Sequence, residues 1–238
     1  MKRISVLALL VLLLLSGCGS ASRIAETTQP AEAVTPQPIT ENALGTVDGY
    51  DYELWKDRGE TEMHLQGGGA FRCDWKDINN ALFRIGRKFD CTQVWQEVGP
   101  IRVDYAAEYA PVGNSYLCVY GWTREPLVEF YVVQSWGNWR PPGAEAMATV
   151  EIDEAKYDIY RTERVNQPSI DGTQTFSQYW SVRKGKCTEA VVDVSAHFAA
   201  WEAQGLELGK LYEVAMTVEG YQSSGTAIVY RNEISVGE

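Results

Sequence analysis

The sequence predicts an all-β fold of two stacked antiparallel sheets curved around a cleft, with one α-helix on the back. Many short runs alternate polar and apolar residues with period two, and Gly, Asn and Asp separate them, as turns separate strands. Only one stretch recurs at helical spacing, so the helix content must be small. At 238 residues, with 45% hydrophobic and 22% charged positions, the chain has the balance of a soluble globular protein with a sizeable core.

From the N-terminus, Lys2 and Arg3 precede an apolar run from Val6 to Leu15, too short to span a bilayer and built like the h-region of a secretory signal. Residues 1–17 are therefore expected to be a signal peptide. Leu15-Ser16-Gly17-Cys18 resembles a lipobox, which implies cleavage and lipidation at Cys18, a membrane anchor and a cell-surface lipoprotein. Residues 18–42 are rich in Thr, Pro and Ala without apolar periodicity and are expected to be a disordered linker. The folded domain is expected over residues 43–238. Its strand-like runs are YDYELWKD, GAFRCDW, ALFRIGRKF, IRVDYAAEY, SYLCVYGW, LVEFYVVQSW, MATVEI, KYDIYRTER, TFSQYWSVR, LYEVAMTVEGYQ and TAIVYRNEIS. The helix is carried by Val194, Phe198 and Trp201, with Ser195 as N-cap and Gly205 as its stop. The sequence contains no internal repeat and no second domain.

Composition excludes several functions. A net charge of -11, from 21 basic against 32 acidic residues, lacks the clustered cations that a nucleic-acid partner requires. It equally disfavours capture of an acidic polymer. Neither a CxxC nor an HExxH spacing exists, so no metal is expected, and His64 and His197 leave few bases for a Ser or Cys triad. Cys73, Cys91, Cys118 and Cys187 allow pairing after export, in a connectivity that spacing does not reveal. Cys118 shares the Tyr120 face, where a free thiol in the groove is expected at least as readily as a disulfide. With 8 Trp, 13 Tyr and 6 Phe, the chain suits a neutral ligand held by stacking.

Chemistry concentrates on two strands. In PLVEFYVV the alternation puts Leu127, Glu129, Tyr131 and Val133 on one face and Val128, Phe130 and Val132 on the other. Tyr116, Cys118, Tyr120 and Trp122 share one side of the preceding strand. A carboxylate and phenols over an apolar back make a sugar-binding groove. In TVEGYQSSG, Thr217, Glu219 and Tyr221 share a face, so Tyr221 is also expected to contact the ligand. Either glutamate alone reads as a solvated surface residue. Together they suit glycoside cleavage with retention, which needs two carboxyls about 5–5.5 Å apart, one a nucleophile and one an acid that later serves as base.

YGWTREPLVEFYVV and VEGYQSSG resemble the nucleophile and acid/base motifs of glycoside hydrolase family 11, the small β-jelly-roll xylanases. The resemblance implies Glu129 as nucleophile and Glu219 as acid/base, with Tyr120 and Tyr131 touching sugar and nucleophile. Arg164 and Gln178 match polar groups beside the nucleophile, and Trp55 and Trp122 match sugar platforms. Residues 166–173 resemble the hairpin called the thumb, with Pro168, Ser169 and Ile170 covering substrate. Asn80 matches the position beside the acid/base, where Asn accompanies a nearer-neutral pH optimum than Asp. Where the family usually has Tyr after the nucleophile, this chain has Phe130, on the core face. The implied protein is a secreted, lipid-anchored, monomeric endo-1,4-β-xylanase acting on xylan and xylo-oligosaccharides without a cofactor. Alternatives are an inert carbohydrate-binding lipoprotein on the same fold and a hydrolase of another β-glucan. For the acid/base pair, Glu219 is expected to be held protonated by the neighbouring charge of Glu129, and Glu129 kept ionised by Arg164 and tyrosine hydroxyls.

Overall fold

Long strands that serve both layers build the architecture. The computed structural model describes residues 37–237. The expected signal peptide, the expected lipidation site at Cys18 and most of the expected linker lie outside the described residues. In chain order the elements are β1 (Ala43–Val47), β2 (Tyr50–Lys56), β3 (Glu60–Gly67), β4 (Ala70–Lys88), α1 (Trp95–Val98), β5 (Ile101–Arg124) and β6 (Val128–Trp136). Then come β7 (Ala148–Ile152), β8 (Ala155–Ser169), β9 (Gly172–Arg183), β10 (Glu189–Asp193), α2 (Val194–Glu202) and β11 (Lys210–Val236). Hydrogen bonding is continuous in the order β1-β2-β4-β11-β5-β6-β9-β8-β7, with β3 added to β4 and β10 to β5.

The jelly roll arises because β4, β5 and β11 each fold back across the core. The first half of β4 pairs with β3 and with the end of β11, and its second half pairs with β2 and with the start of β11. The turnover falls at a register shift between Ser223 and Gly225, where Asp77 and Gln222 take positive φ. An extra residue on one strand bends it and increases its twist. Gly225 is required there because an added Cβ would come within 2.4 Å of the Trp75 ring. Folding back lets Phe71 and Trp75 from one half of β4 meet Phe83 and Ile85 from the other in a single buried cluster. Trp75 and Phe83 lie 6.1 Å apart between centroids.

These bends explain why the sequence reading divided each long strand in two. GAFRCDW and ALFRIGRKF are one strand, as are IRVDYAAEY and SYLCVYGW, and LYEVAMTVEGYQ and TAIVYRNEIS. Alternation loses its phase at a bulge, so one strand reads as two. The sheets are also not wholly antiparallel, because β6 and β9 run parallel. The segment after Trp136 carries the chain across to the outer edge before β7 begins, so β9 returns in the direction of β6. Alternation does not encode strand direction.

The helix α2 lies where expected, with Phe198 and Trp201 fully buried and Phe198 edge-on to Phe130 at 5.0 Å. Its N-cap is Asp193, whose carboxylate accepts from the Ala196 amide at 2.9 Å, while the Ser195 hydroxyl accepts from the Ile101 amide instead. Gly205 follows the helix end with φ +76°. A second, four-residue helix, α1, was not expected. Pairing also begins ahead of residue 43: Ile39 and Met63 exchange two backbone hydrogen bonds of 2.8 Å. Cys73, Cys91, Cys118 and Cys187 are all free. The Cys118 thiol is fully buried beneath the groove aromatics, not presented in the groove.

Candidate active site

The concave face formed by β2, β4, β11, β5, β6, β9 and β8 holds an open groove of about 1100 Å³. Strand register assembles its floor. Glu129 on β6 lies opposite Trp122 on β5 and beside Gln178 on β9, and Tyr131 lies opposite Tyr120 and beside Trp180. Because all five neighbours project the same way as Glu129, the nucleophile candidate is ringed by aromatic and amide side chains. Tyr131 stacks on Trp180 at 3.9 Å with the planes 7° apart, and Tyr120 meets Tyr131 edge-on at 5.1 Å.

Two donors hold the buried Glu129 carboxylate. The Tyr120 hydroxyl donates to Oε1 at 2.8 Å and Gln178 Nε2 donates to Oε2 at 2.6 Å. Each donor is itself oriented. Trp122 Nε1 donates to the Tyr120 oxygen at 2.5 Å, leaving the phenol proton for Glu129. Trp180 Nε1 donates to the Thr162 hydroxyl at 2.9 Å, which donates to Gln178 Oε1 at 3.0 Å and turns the Gln178 amide nitrogen toward the carboxylate.

Glu219 reaches the same groove from β11, where it pairs with Tyr116 and Leu82. Since Glu129 is registered on Trp122, six residues further along β5, only the coiling of the sheet brings the two carboxyls together. Tyr131 lies against both of them and lowers both pKa values. Glu219 Oε2 is buried without a hydrogen-bond partner. Its pKa is pushed up to about 8, first by burial and then by the charge of Glu129, against the lowering influence of Tyr131, Arg164 and Arg84. Burial therefore outweighs the like-charge repulsion that the sequence reading put first. Burial also raises Glu129, but Gln178, Tyr120, Tyr131 and Arg164 oppose it there. The difference sets the order of ionisation: Glu129 loses its proton first and Glu219 retains one to neutral pH.

The remaining predicted residues are distributed around this pair. Arg164 is exposed on the groove wall; its side chain donates to Gln167 at 3.4 Å and reaches the carboxyls through its charge, so Gln178 alone of that matched pair hydrogen-bonds Glu129. Trp55 lines the groove half-buried, whereas Trp122 is almost wholly buried against Phe176 and forms wall more than open platform. Pro168, Ser169 and Ile170 line the groove from the β8–β9 hairpin. Arg124 anchors that hairpin, its guanidinium reaching Asp171 at 3.2 and 2.6 Å. Tyr221 stands 45% exposed at the rim. Asn80, also in the groove lining, donates its backbone N–H to the Asp57 carboxylate at 2.9 Å, and its side-chain Oδ1 is buried without a partner. Among the described residues no group of three or more metal-ligating side chains forms. Thr162, Trp180 and Arg84 escaped the sequence reading. Arg84 had a signal, a lone cation on the groove face of the otherwise apolar run ALFRIG.

A jelly roll whose groove holds two coupled, unequally hydrogen-bonded carboxyls has the equipment of a glycoside hydrolase. Residues 47–230 match the family described as Glycosyl hydrolases family 11, and the chain belongs to that family. It is 61% identical over 199 residues to an endo-1,4-beta-xylanase A of Thermoclostridium stercorarium, covering 84% of this chain and 31% of that one. Identity to an endo-1,4-beta-xylanase A of Bacillus pumilus is 56% over 211 residues, covering 89% and 91%. The structure of the family 11 xylanase from Neocallimastix patriciarum superposes with a TM-score of 0.79 at 37% identity, over 84% of this chain and 100% of that one. This chain spans between 31% and 39% of the length of three of the relatives that it matches.

The buried acid has a consequence for stability. With a folded pKa near 8 against an ordinary 4.5, Glu219 makes folding take up a proton between those values, so its contribution to stability is fullest below 4.5 and declines as pH rises to about 8. Glu219→Gln removes that dependence. Thermal denaturation should find the variant close to wild type near pH 4.5 and several degrees more stable at pH 8–9. A difference independent of pH would mean that Glu219 ionises near its ordinary value.

Proposed function

We propose that this protein is an endo-1,4-β-xylanase that hydrolyses internal β-1,4-xylosidic bonds of xylan with retention. The observation that carries the reading is the unequal treatment of two buried carboxyls in one groove, Glu129 with two oriented donors and Glu219 with an unpartnered oxygen and a pKa of about 8. Glu129, the anion, attacks the anomeric carbon while Glu219 gives its proton to the departing glycosidic oxygen. Esterification then removes the charge of Glu129, one of the influences that raise Glu219. The Glu219 pKa falls, and the carboxylate takes a proton from the water that releases the sugar. Binding comes from aromatic faces and hydroxyl hydrogen bonds, with Trp55 as the open platform, Trp122 as wall, and Pro168, Ser169 and Ile170 above. Xylose lacks a hydroxymethyl group, so a close-fitting groove selects it by excluding hexoses.

The same reading places the protein at the cell surface, supported by the basic and apolar residues of positions 1–15 and the Cys18 that follows them. Cys18 would carry the lipid and residues 18–42 would tether the catalytic domain. Cys18→Ser should release activity from membranes into the medium; wild-type enzyme already free in the medium, with an unmodified N-terminus, would contradict the anchor.

Release of reducing sugar from xylan, in preference to cellulose and mixed-linkage glucan, tests the activity and separates it from an inert sugar-binding protein. Glu129→Gln should lower turnover by about four orders of magnitude or more while binding persists. Near-native turnover by that variant would sink the assignment.

For wild type the pH–rate profile should be a bell whose acid limb lies above 4.5 and whose alkaline limb lies near 8. Asn80 is the proposed regulator of that profile, because an Asp there would share the Glu219 proton and an amide cannot. Asn80→Asp should move both limbs to lower pH. If its profile superimposes on wild type, residue 80 does not couple to Glu219.

A further inference from the structure

One charged cluster in the groove wall is not accounted for by the acid/base pair. Arg84, on β4, is 7% exposed, and its guanidinium donates to Glu53 of β2 at 2.7 Å and to Glu213 of β11 at 3.1 Å. Glu213 is still more deeply buried, and its second oxygen has no partner. Lys88, on the same strand as Arg84, lies 3.5 Å from Glu53 and over the ring of Tyr212. Burying such a set is costly, and apolar side chains of similar size would stabilise a β-core at least as well. The arrangement is therefore a poor means of holding β2, β4 and β11 together.

The position of the guanidinium suggests what it does instead. Its carbon lies 5.3 Å from the centroid of the Tyr120 ring, within reach of a cation–π contact. Tyr120 is the residue whose hydroxyl, already engaged by Trp122, donates to Glu129 Oε1. Two fixed points thus define the phenol: the Trp122 indole at its oxygen and the Arg84 guanidinium at its ring. The groups around Arg84 are Glu53 of β2, Glu213 of β11 and Tyr120 of β5, with Lys88 of its own strand sharing Glu53 and Glu219 of β11 within reach of its charge.

We propose that Arg84, clamped by Glu53 and Glu213, is a positioning residue that fixes the Tyr120 ring so that its hydroxyl meets the nucleophile Glu129. Although it lines the groove, its guanidinium is taken up by Glu53 and Glu213 and lies over the Tyr120 ring, so it acts on Glu129 through Tyr120. The Glu53 and Glu213 carboxylates hold the guanidinium at one place over the ring, which a solvated arginine would leave. Loss of Arg84 should free the ring, weaken the hydrogen bond that favours the Glu129 anion and move the acid limb to higher pH. Arg84 also lowers the pKa of Glu219, so the alkaline limb should rise with it.

The proposal rests on the xylanase reading, and the test separates the two. Wild type that releases no sugar from xylan would overturn the reading itself. With an active wild type, a double-mutant cycle crosses Tyr120→Phe with Arg84→Met/Glu213→Gln, which strands neither a cation nor a buried anion, since Glu53 keeps Lys88. The expected result is a loss of about tenfold to a hundredfold in kcat with KM little changed, both pH limbs shifted upward, and almost no further loss when Tyr120→Phe is added. If that variant fails to fold, Arg84→Lys enters the same cycle, because a lysine keeps a charge between the carboxylates but not the planar fork. Additive losses, or limbs that superimpose on wild type in a folded variant, overturn the role given to Arg84.

Discussion

Taking two carboxyl groups out of water within one groove is the constraint from which the rest of the site follows. Burial alone would push both toward the neutral acid, and two neutral acids would supply no nucleophile. Oriented donors resolve this on one side only. Tyr120 and Gln178 give Glu129 two hydrogen bonds, while Glu219 keeps an oxygen with none. One buried carboxyl is thereby an anion and its neighbour an acid, at a single pH and on a single sheet. Each then reinforces the other, because the anion that forms first raises the pKa of the second.

Much of the surrounding structure serves to hold that inequality. Gln178 presents its nitrogen to Glu129 because Thr162 and Trp180 occupy its other end, and Tyr120 presents its proton because Trp122 occupies its oxygen. Rigid aromatic walls, with Tyr131 stacked on Trp180, leave these groups little freedom to rearrange. The fold contributes coiling: Glu129 and Glu219 lie six positions out of register on β5, so a flat sheet would separate them. The bends in β4, β5 and β11 that close the core also give the sheet the curvature that the groove needs. Behind Phe130, the α2 residues Phe198 and Trp201 support β6 from the core side.

Period-two alternation made the faces of β6 and of the first half of β11 legible in the sequence, and with them the shared face of Glu129 and Tyr131 on one strand and of Glu219 and Tyr221 on the other. It also put Phe130 correctly toward the core. What it could not convey was any relation between strands. The parallel β6–β9 pairing that sets Gln178 beside Glu129 is invisible to local pattern, as is the continuity of β4, β5 and β11 through their bulges. Thr162 and Trp180 were missed because each acts one or two hydrogen bonds away from the carboxylate. Arg84 was missed because its partners Glu53 and Glu213 come from distant strands. Of the two causes that raise Glu219, the charge of Glu129 can be inferred from motifs, but burial depth, the larger one, cannot.

The most direct measurement is a titration of the two side-chain carboxyls by carbon-13 NMR on protein labelled at glutamate, assigned with the Glu129→Gln and Glu219→Gln variants. In the free protein Glu129 should lose its proton first, above 4.5, and Glu219 should stay protonated until about pH 8. After Glu129 is esterified by a fluoro-xylobioside, the Glu219 titration should move to lower pH. A Glu219 that titrates near 4.5 in the free protein, or one whose pKa does not change on esterification, would contradict the account.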